Sequence, residues 1–466
     1  MSFTRRTFLL GAASGASVLV VTACTVDAGP APTATPTNTP SGSVPAPAGM
    51  ARSAWSSDSF ARGSVSYMAV GSTVEHRDAL GQPLLDRVFF AGEATSADHP
   101  GTVIGAQLSG NRAATTLADA GSSAERVAVI GAGAAGGEAA RVLSLRGYDV
   151  VVIEARNRVG GRIHSRTDDS WPLPVELGAW RLSPASDGDI LSELARLDIS
   201  SVALEGATGE SIFRSPSAEI EADPVGAPAV ATALGWARAQ PRDQSLESSL
   251  DASGAAAAAA GSDTGEVSGA ELLEQYLHRL STLYGAEASD LSSWFTTDDG
   301  APPILVTGGF TAVITDALDG VETFLSTTVL GVSYNDRSVS LRLGTGESLT
   351  VDRVIVTVPL GVLQDEGMEF DPILPFAHRT AIAALGMGTI DTVWLRFEEP
   401  FWTTDATAWS LVGTDDDITT WFNLEPLTGE AVLVGIVGGE AARRMEALDD
   451  DELVASLRQT LAPFAS

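Results

Sequence analysis

VAVIGAGAAGGEAARVL, residues 127–143, leads through SLRG into YDVVVIEA, residues 148–155. Val127 to Ile130 is a short apolar run that reads as a buried strand. A glycine-rich turn follows, then a segment with helical spacing, then a second apolar run. Strand, turn, helix, strand is a βαβ unit of a parallel sheet. Gly131, Gly133 and Gly136 make a G-x-G-x-x-G pattern directly after the strand and at the helix start. The first glycine permits a tight turn, the second lets backbone approach a pyrophosphate, and the third lets the helix pack closely. The helix N-terminus, with unpaired N–H groups and a favourable dipole, would seat the diphosphate. Glu154 ends the second strand, where an acidic side chain accepts from ribose hydroxyls. The pattern predicts a dinucleotide site.

Composition sets the outer bounds. A chain of 466 residues with 44% apolar residues and 47 glycines suits an α/β protein of two domains. The net charge is −32, and all 28 basic residues are arginine, with no lysine anywhere. Such a balance argues against nucleic acid as a partner. It reads as an acidic, solvated surface or, alternatively, as a field that concentrates cationic amines. The single cysteine, Cys24, excludes a disulfide scaffold. His76, His164, His278 and His378 show no ligand spacing, so no metal site is expected.

The N-terminus reads TRRTFLLGAASGASVLVVTAC. Arg5 and Arg6 precede an uncharged stretch, Phe8 to Ala23, too short and too rich in Gly and Ala for a membrane span. T-R-R-x-F-L resembles a twin-arginine export signal, and V-T-A-C resembles a lipobox with Cys24 as the lipidated residue. The expectation is an exported, extracytoplasmic protein, anchored to the membrane by lipid at Cys24. The alternative is an uncleaved signal anchor. From Thr25 to about Ala48 the Pro/Thr/Ala-rich sequence reads as a tether, with folded sequence starting near Met50. SLDASGAAAAAAGSDTGEVSG, residues 249–269, is low-complexity and reads as a mobile surface loop.

Further motifs carry a family resemblance. EARNRVGGRIHS, residues 154–165, resembles the E-A-R-x-R-x-G-G-R signature of the flavin amine oxidase family, which includes monoamine, polyamine and L-amino acid oxidases. LPVELGAW, residues 173–180, resembles its flavin-contacting turn, and FFAGEATSADHPGTVIGAQLSGNRAA, residues 89–114, its closing motif. The resemblance spans Trp55 to Ser466 and implies noncovalent FAD, because the usual covalent route needs a cysteine in the closing motif. It implies cofactor contacts from Gly131, Gly133, Gly136, Glu154, Arg156, Gly161 and Arg162. It implies others from Gly178, Ala179, Trp180, Val329, Gly92 and Glu93. The backbone at Thr102 and Val103 would meet the pyrimidine edge of the flavin, at a helix starting near Gly105.

The expected fold class is α/β: a Rossmann-like FAD-binding domain of the GxGxxG type with a mixed α+β substrate-binding domain. The expected division is signal 1–24, tether 25–49, FAD-binding 50–182, substrate domain 183–303, FAD-binding 304–371 and substrate domain 372–466. The order is unusual. In the family the glycine fingerprint opens the chain and F-A-G-E closes it. Here the closing motif comes first, and AWSSDSFARGSVSY, residues 54–67, stands before it. Circular permutation through ADAGSSAER accounts for this, since compact domains often have neighbouring ends. A gene-fusion artefact is the alternative.

Family enzymes move hydride from the carbon beside nitrogen to the flavin, after which the imine hydrolyses and dioxygen yields hydrogen peroxide. The cofactor carries the chemistry and the protein positions the substrate. A lysine usually lies near the flavin in the strand after a G-x-G turn; Thr392 occupies the matching position. An FAD-dependent dehydrogenase or desaturase-like protein with another electron acceptor is therefore the rival reading. A surface protein that keeps FAD only as a folding core is a second rival. Arg181, in LGAWRLSP, resembles the arginine that clamps the substrate carboxylate in L-amino acid oxidases. Its alternatives are a surface arginine paired with an aspartate, and an alignment on the W-I-H-G stretch usual in monoamine and polyamine oxidases, which puts Arg181 on the Ile. His99 stands where relatives place an aromatic near the ring, as pocket wall or polar contact. Trp394, Trp402 and Trp421 read as core packing before pocket lining. The substrate is a small amine or amino acid.

Overall fold

The computed structural model describes residues 43–204, 211–220, 225–262, 265–297 and 302–465. The expected signal, and the expected tether up to residue 42, lie outside the described residues. The glycine fingerprint sits in a five-stranded parallel sheet, ordered Glu322–Phe324, Asp149–Ile153, Arg126–Ile130, Arg353–Val356, Val88–Phe90. All but the exposed edge strand Glu322–Phe324 are nearly continuous apolar runs, because both faces are covered there. On one face, helices Ala134–Leu145 and Val103–Ala120 lie side by side. Gly110 permits their contact, since a Cβ there would stand 2.2 Å from the Ala135 carbonyl oxygen. On the other face a four-stranded sheet carries Val329–Tyr334, Val339–Leu343, Ser348–Val351 and Glu369–Asp371. The Rossmann-like unit is thus assembled from two separated stretches of chain, 88–153 and 322–371.

The second sheet has seven strands, from Gly49–Arg52 at one edge through Ile390–Arg396, Val432–Gly438, Thr420–Asn423, Ala408–Leu411 and Ser211–Arg214 to Glu219–Ile220. Its pairs are antiparallel except Ser211–Arg214 against Ala408–Leu411. Helices Gly439–Ala447 and Asp450–Thr460 cover one face with a tryptophan-rich core. Trp394 and Trp421 are completely buried, and Trp402 packs edge-on against Phe397, Phe401 and Trp409. Together the two sheets give the α/β plus mixed α+β architecture.

Three expectations change. Residues 50–182 do not all join the FAD-binding unit, because Gly49–Arg52 pairs with Ile390–Arg396 in the second sheet. There Arg52 donates to the carbonyls of Met445 and Leu448, fixing the strand to the helix pair. Packed chain begins before Met50: Val44 is 3% exposed, and Arg458 donates to its carbonyl at 2.8 Å. The alanine-rich segment expected to be a loop is mostly helical. Leu246–Ser253 and Ala255–Ala260 are helices, with Leu250, Ala255 and Ala259 buried and Gly254 turning the chain at φ 78°. Alanine has the best helix propensity, and its small side chain allows close packing. Only residues 263 and 264 of that segment lie outside the described residues.

Candidate active site

A cavity of ≈ 460 Å³ opens at the carboxyl ends of the parallel strands, where ligands bind in sheets of this type. Gly131, Gly133 and Ala134 line one wall. Gly131 has φ +105°, a conformation that favours glycine, and a Cβ would meet Thr357 Oγ1 at 2.5 Å. Gly133 is the N-cap of helix Ala134–Leu145, with no side chain capping its first turn. Gly136 lies behind the wall: a Cβ there would sit 1.9 Å from the Gly131 carbonyl oxygen. A bare helix N-terminus behind a glycine turn fits a diphosphate.

Glu154 lines the adjoining wall, 6% exposed. Its Oε2 accepts from Ala132 N–H and its Oε1 from Arg156 N–H, both at 2.8 Å. The carboxylate therefore holds the glycine turn and the second strand's exit in one register, with lone pairs left for hydroxyl donors. Val329 and Thr327 complete this end, Thr327 N–H donating to the Glu154 carbonyl. Arg156 also lines the cavity, but its guanidinium pairs bidentately with Asp58 at 2.6 and 2.9 Å. Phe60, 5.6 Å from that guanidinium, joins the lining. Sequence reasoning missed Asp58 and Phe60, although both lie in the quoted AWSSDSF.

Further along, Arg162 Nη1 donates to Glu93 Oε1 and to the Ser64 carbonyl, each at 2.9 Å. Glu93 Oε2 accepts from the Ser66 hydroxyl at 2.6 Å and from Gly101 N–H at 2.9 Å. Burial pushes the Glu93 carboxyl up, but Arg162 and Arg77 beside it, with these hydrogen bonds, hold it below the usual range. Gly92 and Gly161 line the cavity next to this pair. Thr102 and Val103 line it too, at the start of helix Val103–Ala120, two residues before the expected Gly105. Thr102 Oγ1 caps the helix by accepting from Gly105 N–H at 3.0 Å.

The LGAW turn divides. Ala179 lines the cavity, while Gly178 lies against the Arg162 carbonyl, where a Cβ would stand 1.9 Å away. Trp180 turns the other way, into Trp394 and Phe422 at ring separations of 5.4 and 5.6 Å. Arg181 lines the cavity, half-buried, on the short strand paired with Ile304–Val306. Its Nη2 donates to the Thr282 carbonyl at 2.6 Å, and among the described residues no carboxylate pairs with it. Burial, reinforced by Arg279, lowers its pKa to about 10, which leaves it cationic. The surface pairing with an aspartate is thus not what the structure shows.

Besides Gly136, Gly178 and Trp180, two more candidates stand apart from the cavity lining. His99 is half-buried in the loop before Thr102, whose hydroxyl donates to its carbonyl. Thr392 is buried within the seven-stranded sheet opposite Ile436, its N–H on the Ser53 hydroxyl and its Oγ1 without a partner.

The flavin-containing amine oxidoreductase family matches residues 39–118 and 138–465. Polyamine oxidase 4 of Oryza sativa subsp. japonica is 27% identical over 356 residues, covering 70% of each chain. Probable polyamine oxidase 4 of Arabidopsis thaliana is 30% identical over 350 residues, covering 70% of this chain and 68% of that one. Among solved structures, a putrescine oxidase variant redesigned in cofactor binding superimposes with a TM-score of 0.56 at 22% identity, over 73% of this chain and 81% of the other. This likeness speaks for the fold. With the glycine cradle, the bare helix end and Glu154 fitting a dinucleotide, the chain belongs to the flavin-containing amine oxidoreductase family, FAD-dependent enzymes that act on CH–NH2 and CH–NH groups.

Proposed function

We propose that this chain oxidatively deaminates an amine that carries a carboxylate, with hydrogen peroxide as the product of reoxidation. The observation behind this reading is Arg181, a cation lining the cavity with one backbone partner and donors left over. A guanidinium in that state suits a bidentate carboxylate. Bound FAD supplies the hydride acceptor; the imine then adds water to give a carbonyl compound and ammonia. FAD would be held with its diphosphate on the Ala134 helix end and its ring against Thr102 and Val103, and the substrate would be held at Arg181. The amine binds neutral, so no side chain is assigned as general base. Steady-state kinetics with L-amino acids and their decarboxylated amines test this. Arg181→Ala should raise KM for the amino acids and leave the amines nearly unchanged; equal effects on both would remove the carboxylate reading.

A second reading concerns the electron acceptor. Thr392 stands where the family usually has lysine, and the chain has no lysine. This favours an acceptor other than dioxygen, such as a membrane quinone. Mixing substrate-reduced protein with air or with a quinone, and following reoxidation, separates the two.

The circular order of the motifs we read as permutation. Val44 and Phe464 share one apolar cluster, and Arg458 bonds the Val44 carbonyl, so the strand Gly49–Arg52 starts beside the point where the described chain ends. The connection Gly121–Glu125 is short and held by Arg353, which donates to the Ala120 carbonyl and to Glu125. We also read twin-arginine export and a lipid anchor at Cys24 from the N-terminal motifs, which suits a cofactor-loaded cargo.

A further inference from the structure

We propose that Asp187 is a substrate-recognition residue which, with Arg181, makes the cavity select diamino carboxylates. The proposal rests on the carboxylate reading of Arg181 and adds a second point of recognition. Asp187 lines the same cavity and is 4% exposed. It is the N-cap of helix Gly188–Arg196 but makes no side-chain cap bond. Its Oδ2 accepts from Ser183 N–H at 2.6 Å, and its Oδ1 is buried with no hydrogen-bond partner among the described residues. A buried carboxylate oxygen without a partner is costly unless something completes it.

The charges around it say what completes it. Arg181 and Asp187 have opposite sign, face one cavity and form no ion pair with each other. Two unpaired opposite charges in one cavity match a ligand that carries both signs. His99 lies within electrostatic reach of Asp187, on the loop that leads to Thr102. Burial pushes the Asp187 carboxyl up, partly offset by the Ser183 N–H, by His99 and by Ser186. A cation brought beside it would favour the ionised form.

The partner is not the nitrogen that reacts. Hydride leaves the carbon beside a neutral amine, whereas a nitrogen held against a buried carboxylate keeps its proton. Asp187 therefore suits a second nitrogen, one that stays cationic while the first is oxidised. The substrate then carries a carboxylate for Arg181, a cationic nitrogen for Asp187 and a neutral amine at the flavin.

The test uses FAD-loaded protein with three probes: L-ornithine or L-lysine, L-norleucine without the second nitrogen, and putrescine or cadaverine without the carboxylate. Asp187→Asn keeps an oxygen for Ser183 N–H and removes the charge; FAD content and the melting temperature monitor folding, and Asp187→Glu is the rescue variant. The wild-type protein should prefer the diamino acids over norleucine by roughly tenfold or more in kcat/KM. Asp187→Asn should abolish that preference with norleucine unchanged, and Asp187→Glu should restore part of it. Equal turnover of norleucine and ornithine, or a preference that survives Asp187→Asn, overturns the proposal while leaving Arg181 its role. Loss of FAD from Asp187→Asn also overturns it, by assigning Oδ1 to the cofactor. Turnover of the diamines alone removes the carboxylate reading and this inference together.

Discussion

Arg162 Nη1 stands 2.9 Å from Glu93 Oε1, joining the GGR turn to the FAGE motif across 69 positions of sequence. The pair links the two stretches that build the middle of the cavity, and Ser66, Gly101 and Arg77 complete its surroundings.

Breaking this pair should cost both fold and cofactor. Removing one partner leaves a buried charge uncompensated, at a cost of about 3 kcal/mol or more. Arg162→Ala is expected to lower the melting temperature and release FAD on gel filtration. The Glu93 carboxyl sits below its unfolded value. Its stabilisation is therefore present above the unfolded pKa and fades as pH falls through the folded value. Wild type should lose stability on acidification more steeply than Glu93→Gln; parallel pH curves would contradict the assignment.

Gly136→Ala places a methyl 1.9 Å from the Gly131 carbonyl oxygen, so helix and turn must separate. Expected outcome: little FAD in the purified protein. Gly235, inside helix Gly226–Ala237, has open space around it, and Gly235→Ala should stabilise by roughly 0.5–1 kcal/mol. Denaturant melts of both variants check this contrast.

Asp391 carries the opposite pH signature to Glu93. It is completely buried, and its Oδ1 accepts from the Ser53 hydroxyl and Trp55 N–H. Burial, then the neighbouring Glu446, hold its carboxyl well above the ordinary range. A raised folded value means the stabilisation is full below the unfolded pKa and is lost as pH rises through the folded one. Asp391→Asn, neutral at every pH, should gain on wild type as pH rises and lose that advantage in acid. An advantage independent of pH would sink the idea.

Permutation predicts a working reordered chain. A protein started at Glu125 and ended at Ala120, with Ala465 joined to Val44 through a short Gly/Ser segment, should fold and retain FAD. Aggregation or loss of the flavin spectrum would argue that the present order is needed.

Much of the cofactor side could be read beforehand, because glycine turns and buried strands are local patterns. Gly131, Gly133 and Glu154 occupy one wall since a strand, a turn and a helix put them there without help from the rest of the chain. The charged network was less legible. Asp58, Ser66 and Arg77 act on Arg156 and Glu93 through contacts formed only after distant segments pack. Trp180 shares a motif with Ala179 yet faces the opposite side, which follows from strand alternation next to Arg181. Asp187 looked like one acidic residue among 60; only its burial and its unpartnered oxygen distinguish it. The alanine-rich segment reads as a loop by its low complexity, yet alanine's helix propensity and burial against neighbouring helices make it helical.

Oxidation of a carboxylate-bearing amine with bound FAD is the reaction we propose for this chain. Anaerobic titration of the yellow, FAD-loaded protein, started at residue 43 where the described chain begins, tests it directly against L-amino acids, monoamines and polyamines. Amino acids should bleach the flavin, and Arg181→Ala, with its FAD retained, should no longer bleach at the same concentrations. A flavin that stays oxidised with every amino acid, or that bleaches equally well in Arg181→Ala, would contradict it.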